Sequence, residues 1–185
     1  ATPEIAPDEV YIAVMASSIN FNTVWTSIFE PLSTFNFLDR LGKESEWGAR
    51  HKQDFHVVGS DASAVGLRVG SAVRNLRPGD LVLRLTAVRP GATLGGYNSM
   101  FGSFAEIGIV ADAAAIVADT PRGETPKLPP FATAQQVVPA DFDPDLAGAF
   151  ITFKETLSFL QRLGVQVGKS VLILGSGTVG LSFAF

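Results

Sequence analysis

The 185-residue chain contains no cysteine. That absence excludes a disulfide framework, a thiolate nucleophile and any cysteine-ligated zinc, and it agrees with a reducing compartment. Histidine is nearly absent too: only His51 and His56 occur, five residues apart, at an expected helix end and strand start. Two such residues without a cysteine partner are a poor zinc site, so no metal is expected, and His56 is expected to pack at a barrel rim. Basic residues are in deficit, 14 against 18 acidic, which removes the electrostatic footprint of a nucleic-acid binder. Apolar runs such as Ile12–Ala16 and Val171–Leu174 fall far short of the roughly 20 residues needed to cross a bilayer. The opening Ala1-Thr2-Pro3-Glu4 lacks the basic start and apolar stretch of a secretory signal. The expectation is a soluble cytoplasmic protein with no nucleic-acid or membrane partner. Charge is sparse at 17% against 46% apolar residues, which excludes a disordered chain. The length suits one domain, or one domain with part of another.

What is present begins with short strands. Glu9–Met15 is a β-branched and aromatic run that stops at Ser17 and Ser18. Phe55–Val69 holds two strand-like pieces around Gly59–Ser63, and Leu81–Leu85 follows the tight-turn signal Arg77-Pro78-Gly79-Asp80. Ser103–Val110 and Ala113–Val117 read as further strands. Short strands broken by glycine at this spacing predict a barrel or a sandwich. Between them, Pro31–His51 is expected to carry one or two short helices. Pro121–Pro130, with four prolines in ten residues, is expected to be an extended crossing segment.

The last forty residues change period. Asp143-Pro144 reads as an N-cap followed by proline at the first helical position. Phe150, Phe153, Leu157, Leu160 and Leu163 then recur at steps of three and four, and Gly164 is a natural stop. Val171–Leu174 reads as a strand running into Gly175-Ser176-Gly177-Thr178-Val179-Gly180, a G-x-G-x-x-G pattern. In that pattern the first glycine makes the tight turn, the second lets backbone approach a pyrophosphate, and the third allows close packing. A structural βα turn without a ligand is the alternative. Only Leu181–Phe185 follow, so the acidic ribose-binding residue expected about 20 positions onward is not in the chain. The expectation is the front of a larger enzyme, cut just inside its cofactor domain and a poor dinucleotide binder by itself.

His56–Gly70, Arg77–Val82, Gly102–Ile107 and Val171–Gly180, in that order, resemble the medium-chain dehydrogenase/reductase superfamily. The resemblance implies a mixed β/α fold: a GroES-like β-barrel over residues 1–145, then the truncated first βα unit of a Rossmann fold over 146–185. Met15–Phe35 and Glu44–Ser63 are similar to crotonyl-CoA carboxylase/reductases, which use NADPH to reduce an α,β-unsaturated acyl-CoA and trap the enolate with carbon dioxide. The implied partners are acyl-CoA and carbon dioxide, with a homo-oligomer at full length. On this resemblance Asn22, beside Asn20, matches the residue that holds carbon dioxide; a turn cap by both asparagines is the alternative. Tyr97 and Asn98 match a Phe–Glu pair of the family, and Asn98 replaces a charge with an amide. Gly175, Ser176, Gly177, Thr178 and Gly180 would meet the NADPH phosphates. The family's catalytic histidine belongs to a later part of the enzyme than Phe185, and the stretch between Val82 and Gly96 is shorter than the family's usual insert. Asn98 and that short stretch keep a non-carboxylating enoyl-thioester or quinone reductase open, and the chain's length keeps an inactive fragment open.

Four further expectations concern particular side chains and patches. Asp61 is expected to support its own turn, and Glu106 to form a strand-end salt bridge. The aromatic cluster Phe21, Trp25, Phe29, Phe35 and Phe37 is expected to be mostly core. The Phe150 helix face and the Leu181–Phe185 tail are expected to expose an apolar patch.

Overall fold

Val10, Tyr11, Ile12 and Val14 form the middle of the longest strand, β1 (Glu9–Ser17), as β-branched and aromatic residues favour. In the computed structural model, the described residues are 4–28, 33, 36, 39–40, 43–44, 57–84, 102–129 and 132–185, with backbone only at 22, 26, 84 and 134. The chain divides into two units, Ala1–Gly148 and Ala149–Phe185.

The first unit is a mixed α/β body built on an antiparallel sheet. Its strands are β1, β2 (Ala62–Val69), β3 (Leu81–Arg84), β4 (Ile107–Ala111) and β5 (Gln136–Val138), in the order β4-β1-β2-β3-β5. Register shifts at Tyr11/Ile12 and Val14/Ala16 bend β1 against β2 and bring Ser17 opposite Ala62. Because side chains alternate across a strand, β1 and β4 feed two cores. Val10, Ile12, Ala64, Val82 and Val110 form one. Ile109, Ala111 and Ala132, joined by Tyr11, Ile107 and Ile116, form the other. Ile12 is fully buried, so truncating it to alanine would cost about 3 kcal/mol.

The β2–β3 connection closes as its sequence demands. Asp80 N donates to Arg77 O at 3.1 Å, the Asp80 carboxylate accepts from Arg77 N at 2.7 Å, and Gly79 sits at φ 91°. Helix α1 (Phe21–Ile28) follows β1. Residues 36, 39–40 and 43–44 are helical, laced by Lys43–Asp39 and Arg40–Glu44 ion pairs. Residues 121–129 form no regular element beyond a turn.

Several expectations change. Ala113–Val117 is not a strand but helix α2 (Ala113–Asp119). Three consecutive alanines favour helix, and the Asp112 carboxylate accepts from Ala115 N at 3.0 Å as N-cap. The strand expected from Ser103 begins only at Ile107, because residues 102–104 instead bond residues 57–59. Phe55–Val69 holds one strand among the described residues; Gly59, at φ 94°, precedes it. Phe21 and Trp25 are exposed rather than core, with rings 5.6 Å apart. Phe29, Phe35 and Phe37 lie outside the described residues.

Helix α3 (Pro144–Arg162) starts in the first unit and continues in the second. Asp143 is its cap, accepting from Asp145 N at 2.9 Å. Its end is a Schellman motif: Gly164 N donates to Gln161 O and Val165 N to Leu160 O. In the second unit Phe153 meets Phe185 edge-on at 6.2 Å and Phe159 meets Phe183 at 5.9 Å. Phe150, Leu157, Leu163 and Phe185 are exposed. Val171–Leu174 is not a strand of any sheet among the described residues, since none of its backbone groups finds a ladder partner there. The glycine turn then opens helix α4 (Thr178–Ala184).

Candidate functional site

The glycine turn meets the separate demands placed on its glycines. Gly175 sits at φ 123°, a region that L side chains rarely adopt. A Cβ on Gly180 would collide with the Gly175 carbonyl oxygen, so the first and third glycines are brought into contact and only glycine fits the third position. A Cβ on Gly177 would meet nothing within 4 Å, which leaves its backbone open to approach. Gly177 is also the N-cap of α4, in extended conformation and with no side-chain cap, while Leu181 N donates to its carbonyl at 2.9 Å. Ser176 and Thr178 are exposed. The donor set is thus backbone N–H and two hydroxyls, which suits a phosphate oxyanion.

Asn22 occupies the first turn of α1, and its side chain is outside the described atoms. Asn20 caps that helix: its Oδ1 accepts from Thr23 N at 3.0 Å and Thr23 Oγ1 at 3.2 Å. The capping alternative therefore holds for Asn20. Its Nδ2 does more, donating to Ser60 Oγ at 2.9 Å and to Asp61 Oδ2 at 2.7 Å. Asp61 is 5% exposed. Burial pushes its carboxyl above the ordinary value, and hydrogen bonds from Ser60, Asn20 and Ser18 only partly offset the rise. Asp61 thus bonds a residue 41 positions away rather than merely supporting its own turn. No single-sequence signal marks that bond; it follows from the register that sets Ser17 opposite Ala62.

A second buried carboxylate, Asp112, is structural. It accepts from Arg74 N, Asn75 N, Asn75 Nδ2 and Ala115 N at 2.8–3.0 Å. Burial alone would raise its carboxyl; these bonds overcome the burial and hold it below its ordinary value. Glu106 is exposed and makes no ion pair among the described residues; its carbonyl accepts from Val14 N. Ser103 Oγ is fully buried without a hydrogen-bond partner. Tyr97, Asn98, His51 and His56 lie outside the described residues. Among the described residues no group of three His, Asp or Glu could hold a metal, and no helix is long and apolar enough to cross a membrane.

No family model matches the chain. By fold it is similar to alcohol dehydrogenases: a superfamily member from Novosphingobium aromaticivorans aligns over 99% of this chain and 43% of its own, with TM-score 0.61 at 22% identity. Among its curated relatives are crotonyl-CoA reductases. The Streptomyces avermitilis enzyme is 43% identical over 122 residues, covering 58% of this chain and 27% of that protein. The solved 2-octenoyl-CoA carboxylase reductase CinF from Streptomyces is 43% identical over 60% of this chain and 30% of its own, with TM-score 0.44. The chain thus spans about a quarter of the length of the curated relatives it matches first. In sequence the chain is similar to crotonyl-CoA reductases and to a crotonyl-CoA carboxylase/reductase, and in fold to alcohol dehydrogenases.

Proposed function

We propose that this chain forms the substrate-side segment and the opening of the cofactor loop of an NADPH-dependent enoyl-CoA carboxylase/reductase. The observation that carries the reading is the 43% identity to crotonyl-CoA reductase over 122 residues. The similarly identical CinF was solved in complex with NADP and 2-octenoyl-CoA. In this reading residues 1–145 are a GroES-like barrel, 146–185 open a Rossmann domain, and the full-length enzyme is a homo-oligomer. The apolar run Val171–Leu174 fits a strand buried on both faces of a parallel sheet.

Gly175, Gly177 and Gly180 hold the pyrophosphate, with hydrogen bonds from Ser176 and Thr178. The open backbone at Gly177 and the tight Gly175–Gly180 contact support that assignment. When bound, NADPH supplies a hydride to the β-carbon of the enoyl-CoA. The Asn22 amide holds carbon dioxide beside the resulting enolate, because a neutral donor suits an uncharged molecule and the carboxylate that develops from it. Tyr97 and Asn98 are assigned to the same reaction, at the positions of the family's Phe–Glu pair.

The test is a chimera in which residues 1–148 replace the homologous segment of the S. avermitilis reductase. With NADPH, crotonyl-CoA and bicarbonate it is expected to release carboxylated acyl-CoA, with Asn22→Ala shifting product to the purely reduced thioester. Reduced product alone from the parent chimera would reject the carboxylation. Asn98, standing where the family has glutamate, favours a second reading as a non-carboxylating reductase. In that case Asn98→Glu is expected to raise the carboxylated share, and an unchanged share would remove this reading's main support.

A further inference from the structure

The polar groups at one end of the β1–β2 pair form a continuous seam. Ser17 Oγ and Ser18 N donate to the Asp61 carbonyl at 3.0 and 3.1 Å. The Asp61 carboxylate and Ser60 hydroxyl accept the two Asn20 Nδ2 bonds, and Asn20 Oδ1 accepts two from Thr23. The Asn20 amide therefore uses both donors and both acceptor positions. Capping alone does not ask for this, because serine or aspartate caps a helix as well as asparagine. Only a carboxamide of this reach accepts from Thr23 while donating to Asp61. Holding a nearly buried carboxylate at that spot is costly unless it is paired, and its partner is the cap of the helix that carries residue 22.

We infer that Asp61 is a positioning residue for Asn22, acting through Asn20: the carboxylate clamps the cap amide and so fixes the first turn of α1 against the start of β2. The clamp extends to a second element. Ser63 Oγ donates to Pro144 O at 2.6 Å, tying the first turn of α3 to the same stretch of β2. The role in carboxylation rests on the reading of Asn22 given above; the clamp itself does not.

The experiment therefore has two arms. In the 185-residue chain, the side-chain amide resonances of Asn20 and Asn22 are followed by NMR in Asp61→Ala, Asp61→Asn and Asn20→Ser. Asn20→Ser keeps a capping oxygen but loses the bond to Asp61, so it carries the test if Asp61→Ala does not fold. Both disruptive variants are expected to move the Asn22 amide pair, and Asp61→Asn, which keeps an acceptor oxygen, to restore it. An Asn22 pair unmoved in both overturns the inference. In the chimera, the same disruptive variants are expected to lower the carboxylated-to-reduced ratio about tenfold, in the range produced by misplacing a reactant-holding group. KM for crotonyl-CoA should stay unchanged, and Asp61→Asn should recover the ratio. A ratio insensitive even to Asn22→Ala overturns the carbon dioxide reading alone, and the NMR arm still decides the clamp.

Discussion

Helix starts in the two units are treated in opposite ways. In the first unit the N-terminus of α1 is closed by Asn20 and that of α2 by Asp112, and both caps are themselves tied to distant segments. In the second, α4 begins at Gly177 with no side-chain cap and empty space around the Cβ position. A closed cap satisfies the free N–H groups internally and serves stability; an open start leaves them for an outside acceptor. The carboxylates found at the two closed caps, Asp112 itself and Asp61 behind Asn20, also differ. The carboxylate that receives three backbone N–H bonds is held below its ordinary pKa, whereas the one met by side-chain donors is raised by burial.

The largest effect should come from opening a closed cap. Asp112→Ala removes four hydrogen bonds to a buried carboxylate and is expected to cost about 3 kcal/mol, read as a lower midpoint in urea at constant slope. Closing the open start is the converse. Gly177→Asp should add only a few tenths of a kcal/mol to the chain, yet weaken NADPH binding about tenfold or more in a longer chimera that carries residues 1–185, because a carboxylate would face the phosphates. Titration of the 185-residue chain with NADPH should give a Kd weaker than about 1 mM, since the glycine turn by itself offers the cofactor only pyrophosphate contacts. Saturation well below that would contradict the division of labour between loop and later residues.

Acid titration sharpens the contrast between the two aspartates. The lowered Asp112 contributes stability above the ordinary carboxylate pKa, and this is lost as pH falls through its depressed value. The raised Asp61 has the opposite sign: its contribution is complete below the ordinary value and is lost as pH rises through the elevated one. Asp112→Asn should therefore flatten the acid limb of stability against pH. Asp61→Asn, the smallest effect, should remove the decline from mildly acidic to neutral pH. Urea midpoints measured from pH 3 to 7 distinguish the two.

Where local chemistry decides, the sequence was readable. The β1 run, the Arg77–Asp80 turn, the Asp143-Pro144 helix start and the Gly164 stop each depend on neighbours within a few residues. The helical period of α3 was readable for the same reason, as was the exposure of Phe150 and Phe185. Helix α2 was missed because Ile116 and Val117 suggest a strand, while the Asp112 cap is fixed by Arg74 and Asn75, 38 and 37 positions away. Asp61 was misread for the same cause: its partner Asn20 arrives through strand register. Val171–Leu174 has strand composition, but a strand exists only when a neighbour completes its ladder.

That last stretch has a practical consequence. Leu172 and Leu174 are 84% and 88% exposed beside amides without ladder partners among the described residues. Such an edge is a template for any copy that drifts past, so concentrated stocks should cloud through cross-strand stacking while dilute ones stay clear. A lysine at 172, monitored by light scattering, should keep the preparation monodisperse.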